Sequence, residues 1–160
     1  MTTFLIFLHV VAAILLLGPV VVSTSMFPRQ AAESRAGGEE STGRASVLYR
    51  ITKTYGMLSL LVPLLGGAVL ASDWETYKSN YWFHTAIVLS VIAWAILLAM
   101  VIPQQRKMMG TLGALPAADA DPSDVTNNFE KSKAKATAGA GIFNLLWMLT
   151  LILMFLPTPV

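Results

Sequence analysis

The chain has 160 residues, of which 55% are apolar and only 12% are charged, whereas soluble proteins carry about 25% charged residues. This composition, with a mean hydropathy of +0.63, excludes an ordinary water-soluble domain and indicates an integral membrane protein. The sequence has no cysteine, which excludes disulfides, thiolate metal sites and cysteine nucleophiles. The net charge of +2 comes from basic residues in two separate segments, so nucleic-acid binding is not predicted.

Four apolar runs without Asp, Glu, Lys or Arg follow one another along the chain. We predict membrane spans at about residues 3–26, 55–72, 81–102 and 137–157, each close to the length that crosses about 30 Å of hydrocarbon. Because backbone groups in hydrocarbon must pair within their own segment, these spans are predicted to be helices. The predicted fold is all-α, an integral membrane four-helix bundle that forms one domain over residues 1–160.

The basic residues predict how the bundle is oriented. Of the 11 Lys and Arg residues, all except Lys78 lie in residues 29–53 or 104–135. The positive-inside rule identifies these two segments as cytoplasmic loops. Both termini and the short loop at residues 73–80 are then predicted to lie outside.

The two cytoplasmic loops have different compositions. The first contains a turn rich in Gly and Glu, after which we predict a helix start at Ser41 or Thr42. The second is rich in Ala, Gly, Pro and Asp over residues 110–128, which predicts a mobile linker. Beyond it, Ser123 or Asp124 is predicted to cap the helix that continues into the fourth span.

The two histidines of the chain, His9 and His84, both fall within spans. They lie about 9 Å and about 4.5 Å from the outer ends of their helices, so their depths are similar. If the first and third spans are neighbours, two neutral imidazoles can supply the axial ligands of a haem b. The alternative is that each ring hydrogen-bonds to a neighbouring helix, a partner or water, with no cofactor bound. A metal site is not predicted, because zinc or copper requires further ligands.

Other residues within the spans predict packing rather than chemistry. No catalytic residue is predicted, since intramembrane charge usually accompanies proton relays and hydrolysis and the spans contain none. Gly139, Ala140 and Gly141 allow a second backbone to approach the fourth helix, and Asn144 requires a hydrogen-bond partner on another helix. Periodicity does not decide whether Trp94 and Trp147 face lipid or another subunit.

Helix-breaking residues predict kinks in two spans. Gly18-Pro19 in the first span, and Pro63 with Gly66-Gly67 in the second, remove or weaken helix hydrogen bonds. Kinked helices can enclose a cavity. This possibility supports an alternative function as a small-molecule or metal transporter.

Part of the first helix resembles known membrane families. The residues Phe7-Leu8-His9-Val10, Ala12-Ala13, Gly18 and Phe27-Pro28-Arg29 resemble the opening of an uncharacterised family of small four-span bacterial membrane proteins. More distantly, the early histidine is similar to that of membrane protoporphyrinogen oxidases and copper-resistance-type proteins. In the oxidase family it is associated with haem and works with a lysine in a later span. His9 matches this histidine, but the third span has no lysine.

The overall architecture carries a second resemblance. Four spans with little chemistry of their own and a Gly- and Ala-rich cytoplasmic linker resemble accessory subunits of the actinobacterial cytochrome bcc–aa3 respiratory supercomplex. This resemblance implies a non-catalytic subunit of the bacterial cell membrane. Its predicted partners are the lipid bilayer and other integral membrane subunits, and its predicted role is in assembly or stability.

Overall fold

The computed structural model describes residues 1–156. Four helices are long and apolar enough to cross a membrane: α1 Thr2–Arg35, α2 Glu39–Ser72, α3 Tyr81–Thr111 and α4 Phe129–Phe155. A single helical turn, Trp74–Tyr77, follows α2, and a 3-10 turn, Pro122–Thr126, lies between α3 and α4. The described residues contain no strand, so the all-α prediction is confirmed. The fourth predicted span reaches residue 157, which lies outside the described residues.

Consecutive helices run in opposite directions, which gives the bundle two distinct ends. At one end the Thr2 and Ser72 hydroxyls are hydrogen-bonded at 3.2 Å, while Ser72 donates its own proton to the Val69 carbonyl at 2.9 Å, and α3 begins and α4 ends beside them. We call this the terminal end. The opposite end, which we call the basic end, holds the α1–α2 turn and the α3–α4 linker, with ten of the eleven Lys and Arg residues.

At the basic end the helices extend well beyond the predicted spans. Residues 29–53, predicted as a loop, are helical except at Ala36–Gly38, where Gly37 adopts a φ of 101°. The predicted helix start at Ser41 or Thr42 is wrong, because α2 begins at Glu39 after the extended Gly38. Two glutamates in the first turn of α2 favour this start through the helix dipole.

Prolines coincide with irregular turns in three of the helices. In α1 and α3, the π-helical turns Ala13–Leu17 and Leu97–Val101 stand immediately before Gly18-Pro19 and Ile102-Pro103. Proline lacks an N–H and clashes with the carbonyl four residues earlier, and a wider turn relieves both problems. The irregularity predicted at Pro19 is therefore present, and the one at Pro103 was not predicted.

The second predicted kink, near Pro63, is a break in α2 at Ser59–Leu60. The Leu60 N–H bonds to the Met57 carbonyl at 3.3 Å. The Gly56 carbonyl instead accepts from the Ser59 hydroxyl at 2.7 Å and from the Trp94 indole N–H at 3.1 Å. Trp94 therefore joins α3 to the break in α2.

The linker at the basic end is folded against the end of α3. Asp121 caps the 3-10 turn. Hydrogen bonds from the hydroxyl and the backbone N–H of Ser123 lower the pKa of the Asp121 carboxyl. Arg106 on α3 donates to the Asp124 carboxylate at 3.0 Å and to the Asp119 carbonyl at 2.7 Å. The predicted cap of α4 at Ser123 or Asp124 is wrong, since Asn128 caps α4 by accepting from the Lys131 N–H at 2.9 Å.

Packing is dense at the basic end and in the middle of the bundle and becomes loose at the terminal end. One core cluster lies near the basic end and a second lies in the middle, around Leu97 and Phe143. By contrast, the stretch Thr2–Ala12 at the start of α1 contains no buried residue. The terminal half of the bundle is thus the part with room for a cavity. The basic-end cluster contains Phe27, Ala31, Ala45, Tyr49, Met108, Met109, Phe129 and Ala136.

Candidate functional site

A cavity of about 520 Å³ lies in the terminal half of the bundle, where all four helices contribute to its wall. Ile14 and Met148 on this wall are 67% and 59% exposed, so the cavity reaches the surface of the protein. Its volume lies in the range of about 300–1,000 Å³ that is typical of small-molecule sites. The wall consists of His9, Ala13, Ile14, Leu17, Gly18, Val21, Val62, Pro63, Gly66, Ile87, Ser90, Asn144, Trp147, Met148, Thr150, Leu151 and Met154.

The predicted helix breakers line this cavity. Gly18, which ends the π-helical turn of α1, would meet no atom within 4 Å if it carried a Cβ. Pro63 and Gly66, just after the break in α2, belong to the wall that α2 contributes. The small residues and irregular turns therefore leave the cavity open. Regular helices with larger side chains would fill the same space.

His9 links α1 to α2 at the edge of this space. Its Nδ1 lies 3.0 Å from the Val62 carbonyl oxygen. A Cβ added to Gly66 would lie 3.3 Å from the His9 Cε1 atom, so the ring packs against the glycine. A carbonyl oxygen only accepts, so Nδ1 carries the proton and Nε2 of a neutral ring is an acceptor. His9 can therefore accept one further hydrogen bond on the cavity wall.

Three other polar residues of the wall follow one another at intervals of three along α4: Asn144, Trp147 and Thr150. Residues at this spacing lie on one side of a helix. The Asn144 Oδ1, Trp147 Nε1 and Thr150 Oγ1 atoms are buried and have no hydrogen-bond partner among residues 1–156. Each such atom costs about 1–3 kcal/mol unless something else satisfies it.

His84, the second predicted ligand, lies elsewhere. Its Nδ1 is 2.8 Å from the Asn80 carbonyl oxygen on its own helix, and its ring is edge-on to Trp74 at a centroid separation of 6.4 Å. It does not belong to the wall of the cavity that His9 lines. Within residues 1–156 no group of three or more His, Cys, Asp or Glu is placed to hold a metal ion. The ligation of haem by both histidines stays a prediction.

The predicted packing residues of α4 serve contacts within the chain. A Cβ at Gly139 would lie 3.0 Å from Val101 Cγ2 on α3, and Ala140 is only 4% exposed. At Gly141 an added Cβ would meet no atom within 4 Å. Asn144 donates through Nδ2 to the Ser25 hydroxyl of α1 at 3.0 Å. Gly139 and Asn144 are thus accounted for by α3 and α1, and Ala140 is buried within the described chain.

Sequence reasoning missed two polar residues of the wall, Thr150 and Ser90, and did not place Trp147. The signal that indicates Trp147 and Thr150 is their spacing with Asn144 on one helix face.

Comparison with known proteins adds no further evidence: no protein-family model, curated protein or solved structure matches the chain.

Proposed function

We propose that the chain is a multi-pass membrane protein that binds a lipophilic small molecule in the cavity of its terminal half. Four helices long and apolar enough to cross a membrane support the first part of this proposal. The positive-inside rule supports an orientation with the basic end in the cytoplasm and the terminal end outside. The membrane we propose is the bacterial cell membrane, which the resemblance to bacterial accessory subunits implies.

The observation that carries the binding proposal is the composition of the cavity wall. Most of the wall is aliphatic or sulfur-containing, and its polar residues are His9, Ser90, Asn144, Trp147 and Thr150. Apolar walls with a few convergent polar groups are typical of small-molecule sites. Such a wall, reached from the hydrocarbon layer, suits a molecule that is dissolved in the bilayer.

Binding explains this wall better than catalysis does. No Asp, Glu, Lys or Arg lies on this wall within the described residues, and the acid–base pairs that enzymes employ usually include such groups or paired histidines. We therefore propose a non-catalytic binding protein. A flux assay in proteoliposomes separates a binding protein from a carrier, because only a carrier moves the ligand across the membrane.

The test fills the cavity without disturbing the helices. Gly18→Leu places a side chain in space where an added Cβ meets nothing within 4 Å, and Gly67→Leu is the matched control, because Gly67 has the same free space but does not line the cavity. We expect lipids extracted from the purified protein and identified by mass spectrometry to include a bound species that Gly18→Leu loses and Gly67→Leu retains. Equal lipid content in all three proteins would overturn the proposal.

The predicted role as an accessory subunit is a second candidate, and one observation favours it. Phe4, Phe7 and Ile14 on α1 are 61%, 61% and 67% exposed. Their spacing of three and seven residues places them on one helix face, which suits contact with a second membrane protein. The predicted respiratory partner is tested by photo-crosslinking from position 7 in native membranes. Crosslinks to lipid alone would exclude this role for α1.

A further inference from the structure

We infer that the ligand of the cavity is a neutral lipid whose head group both donates and accepts hydrogen bonds, as a long-chain alcohol does. This inference rests on the binding proposed above and specifies its chemistry. Three observations support it: the charge of the wall, the orientation of the Asn144 amide and the partnerless atoms of α4.

The first observation is the absence of formal charge around the cavity. Its wall lacks Asp, Glu, Lys and Arg within the described part of the chain. With the His9 ring in its neutral form, an ionised carboxylate or ammonium placed there loses its hydration without gaining a counter-ion, which disfavours it strongly. Fatty acids in their ionised form and cationic amphiphiles are therefore not expected to be the preferred ligands.

The second observation fixes the orientation of the Asn144 amide. The Ser25 hydroxyl donates its proton to the Val21 carbonyl at 2.7 Å, so its oxygen can only accept from Asn144. The atom of Asn144 at 3.0 Å from Ser25 is thus Nδ2, and Oδ1 is the atom that is buried without a partner. An amide oxygen is an acceptor, so a ligand satisfies it only by donating.

The third observation is that the ligand must also accept a hydrogen bond, about one turn further along α4. The Trp147 indole N–H is a donor only, and it has no acceptor among residues 1–156. Thr150 is 5% exposed, and its hydroxyl, which can donate or accept, also has no partner in the described structure. A ligand with acceptors alone leaves Asn144 unsatisfied, and a pure hydrocarbon satisfies none of the three residues. A hydroxyl group both donates and accepts.

The test compares four ligands that share one C18 chain and differ in the head group. They are oleyl alcohol, oleyl methyl ether, cis-9-octadecene and oleate at neutral pH. We expect native mass spectrometry of the full-length protein to show the alcohol bound about threefold to tenfold more tightly than the ether, the gain from one added donor. The hydrocarbon and the ionised oleate should bind more weakly still.

Two variants remove the α4 groups without breaking a hydrogen bond of the protein. Thr150→Val preserves the shape of the side chain, and Trp147→Phe preserves an aromatic ring, while the atoms they remove have no partner among residues 1–156. We expect each to reduce the preference for the alcohol over the hydrocarbon severalfold. Thr150→Val should leave the thermal unfolding midpoint unchanged or raised, whereas Trp147→Phe also loses packing against Phe143 and should lower it slightly. Thr85→Val is the control, because Thr85 is exposed, bonds to the Tyr81 carbonyl and lies outside the cavity.

The outcomes separate this inference from the proposed function. Equal binding of alcohol, ether and hydrocarbon, all abolished by Gly18→Leu, would overturn the inferred head group and leave the cavity as a binding site. Binding of none of the four would overturn the alcohol class, and the lipid content of Gly18→Leu then decides the proposed function separately. A preference for the alcohol over the hydrocarbon that survives both Thr150→Val and Trp147→Phe would also overturn the assignment to these two residues of α4.

Discussion

The carboxylate of Asp124 organises the linker at the basic end. It is only 4% exposed, accepts from Arg106 at 3.0 Å and accepts from the Asp121 backbone N–H at 2.8 Å. From the sequence, Asp124 was predicted to cap α4, because an aspartate ahead of a helical segment ordinarily marks an N-terminus. Its actual partner lies eighteen residues earlier on α3, and a local pattern does not reveal a pairing at that distance.

Gly110→Ala should destabilise the protein through this same carboxylate. A Cβ at Gly110 would lie 2.5 Å from Asp124 Cγ and 2.7 Å from its Oδ1. The added methyl group must push the buried carboxylate away from Arg106, and separating a buried ion pair is costly. We expect a loss on the order of 2 kcal/mol in the free energy of unfolding, measured as a lower thermal midpoint in mild detergent.

The control for this substitution is Gly43→Ala in α2, where an added Cβ meets no atom within 4 Å. Alanine is favoured over glycine within a helix, so this change should stabilise the protein by about 0.5 kcal/mol. If Gly110→Ala raised the midpoint as Gly43→Ala does, the contact between α3 and the linker would not contribute to stability.

Residues of the candidate cavity were predictable only in part. His9 and Asn144 were identified because polar side chains are rare within apolar spans and require partners. Trp147 and Thr150 were not assigned, since which face of α4 meets the cavity depends on how closely α1 approaches it. That approach depends on the irregular turn at Ala13–Leu17, whose geometry the sequence does not specify.

At the scale of elements, the apolar runs predicted four helices correctly but underestimated their length. Hydropathy reports where a segment prefers hydrocarbon, and a helix continues into water wherever its backbone is still paired. The continuations at the basic end have ion pairs at helical spacing, between Arg29 and Glu33 at 2.8 Å and between Glu40 and Arg44. The i, i+4 spacing of these pairs is present in the sequence, and it indicates helix where a loop was predicted.

The contact between α3 and α4 provides a test at this scale. Gly139 lies where an added Cβ would be 3.0 Å from Val101 Cγ2 and 3.2 Å from Met100 Cγ. Val101 is fully buried and cannot move aside, so Gly139→Leu must separate the two helices. We expect a loss of about 1–3 kcal/mol, the usual effect of overpacking a core, measured by thermal unfolding in detergent.

Gly141→Leu is the matched control on the same helix, since an added Cβ there meets nothing within 4 Å. It should leave the midpoint unchanged or raise it slightly, because leucine is favoured over glycine within a helix. A midpoint that falls equally for both substitutions would show that the separation of α3 and α4 at Gly139 is not the cause.

In the whole molecule, the packing gradient and the charge distribution follow the same axis. The basic end has the larger core cluster and most of the ion pairs, whereas the start of α1 at the terminal end has no buried residue. A cavity that opens at the loosely packed end can admit a ligand by a small movement of α1, while the basic end stays closed. The positive-inside rule then predicts that the ligand enters from the outer half of the bilayer.

This orientation can be measured directly because the chain has no native cysteine. Single cysteines at the exposed positions Ser79, Ala36 and Ala118 report on the terminal end, the α1–α2 turn and the α3–α4 linker. With ten of the eleven Lys and Arg residues at the basic end, we expect a membrane-impermeant maleimide to label Ser79→Cys on intact cells. Ala36→Cys and Ala118→Cys should react only after permeabilisation. Labelling of Ala36→Cys and Ala118→Cys, but not Ser79→Cys, on intact cells would invert the bundle and move the cavity to the inner half of the bilayer.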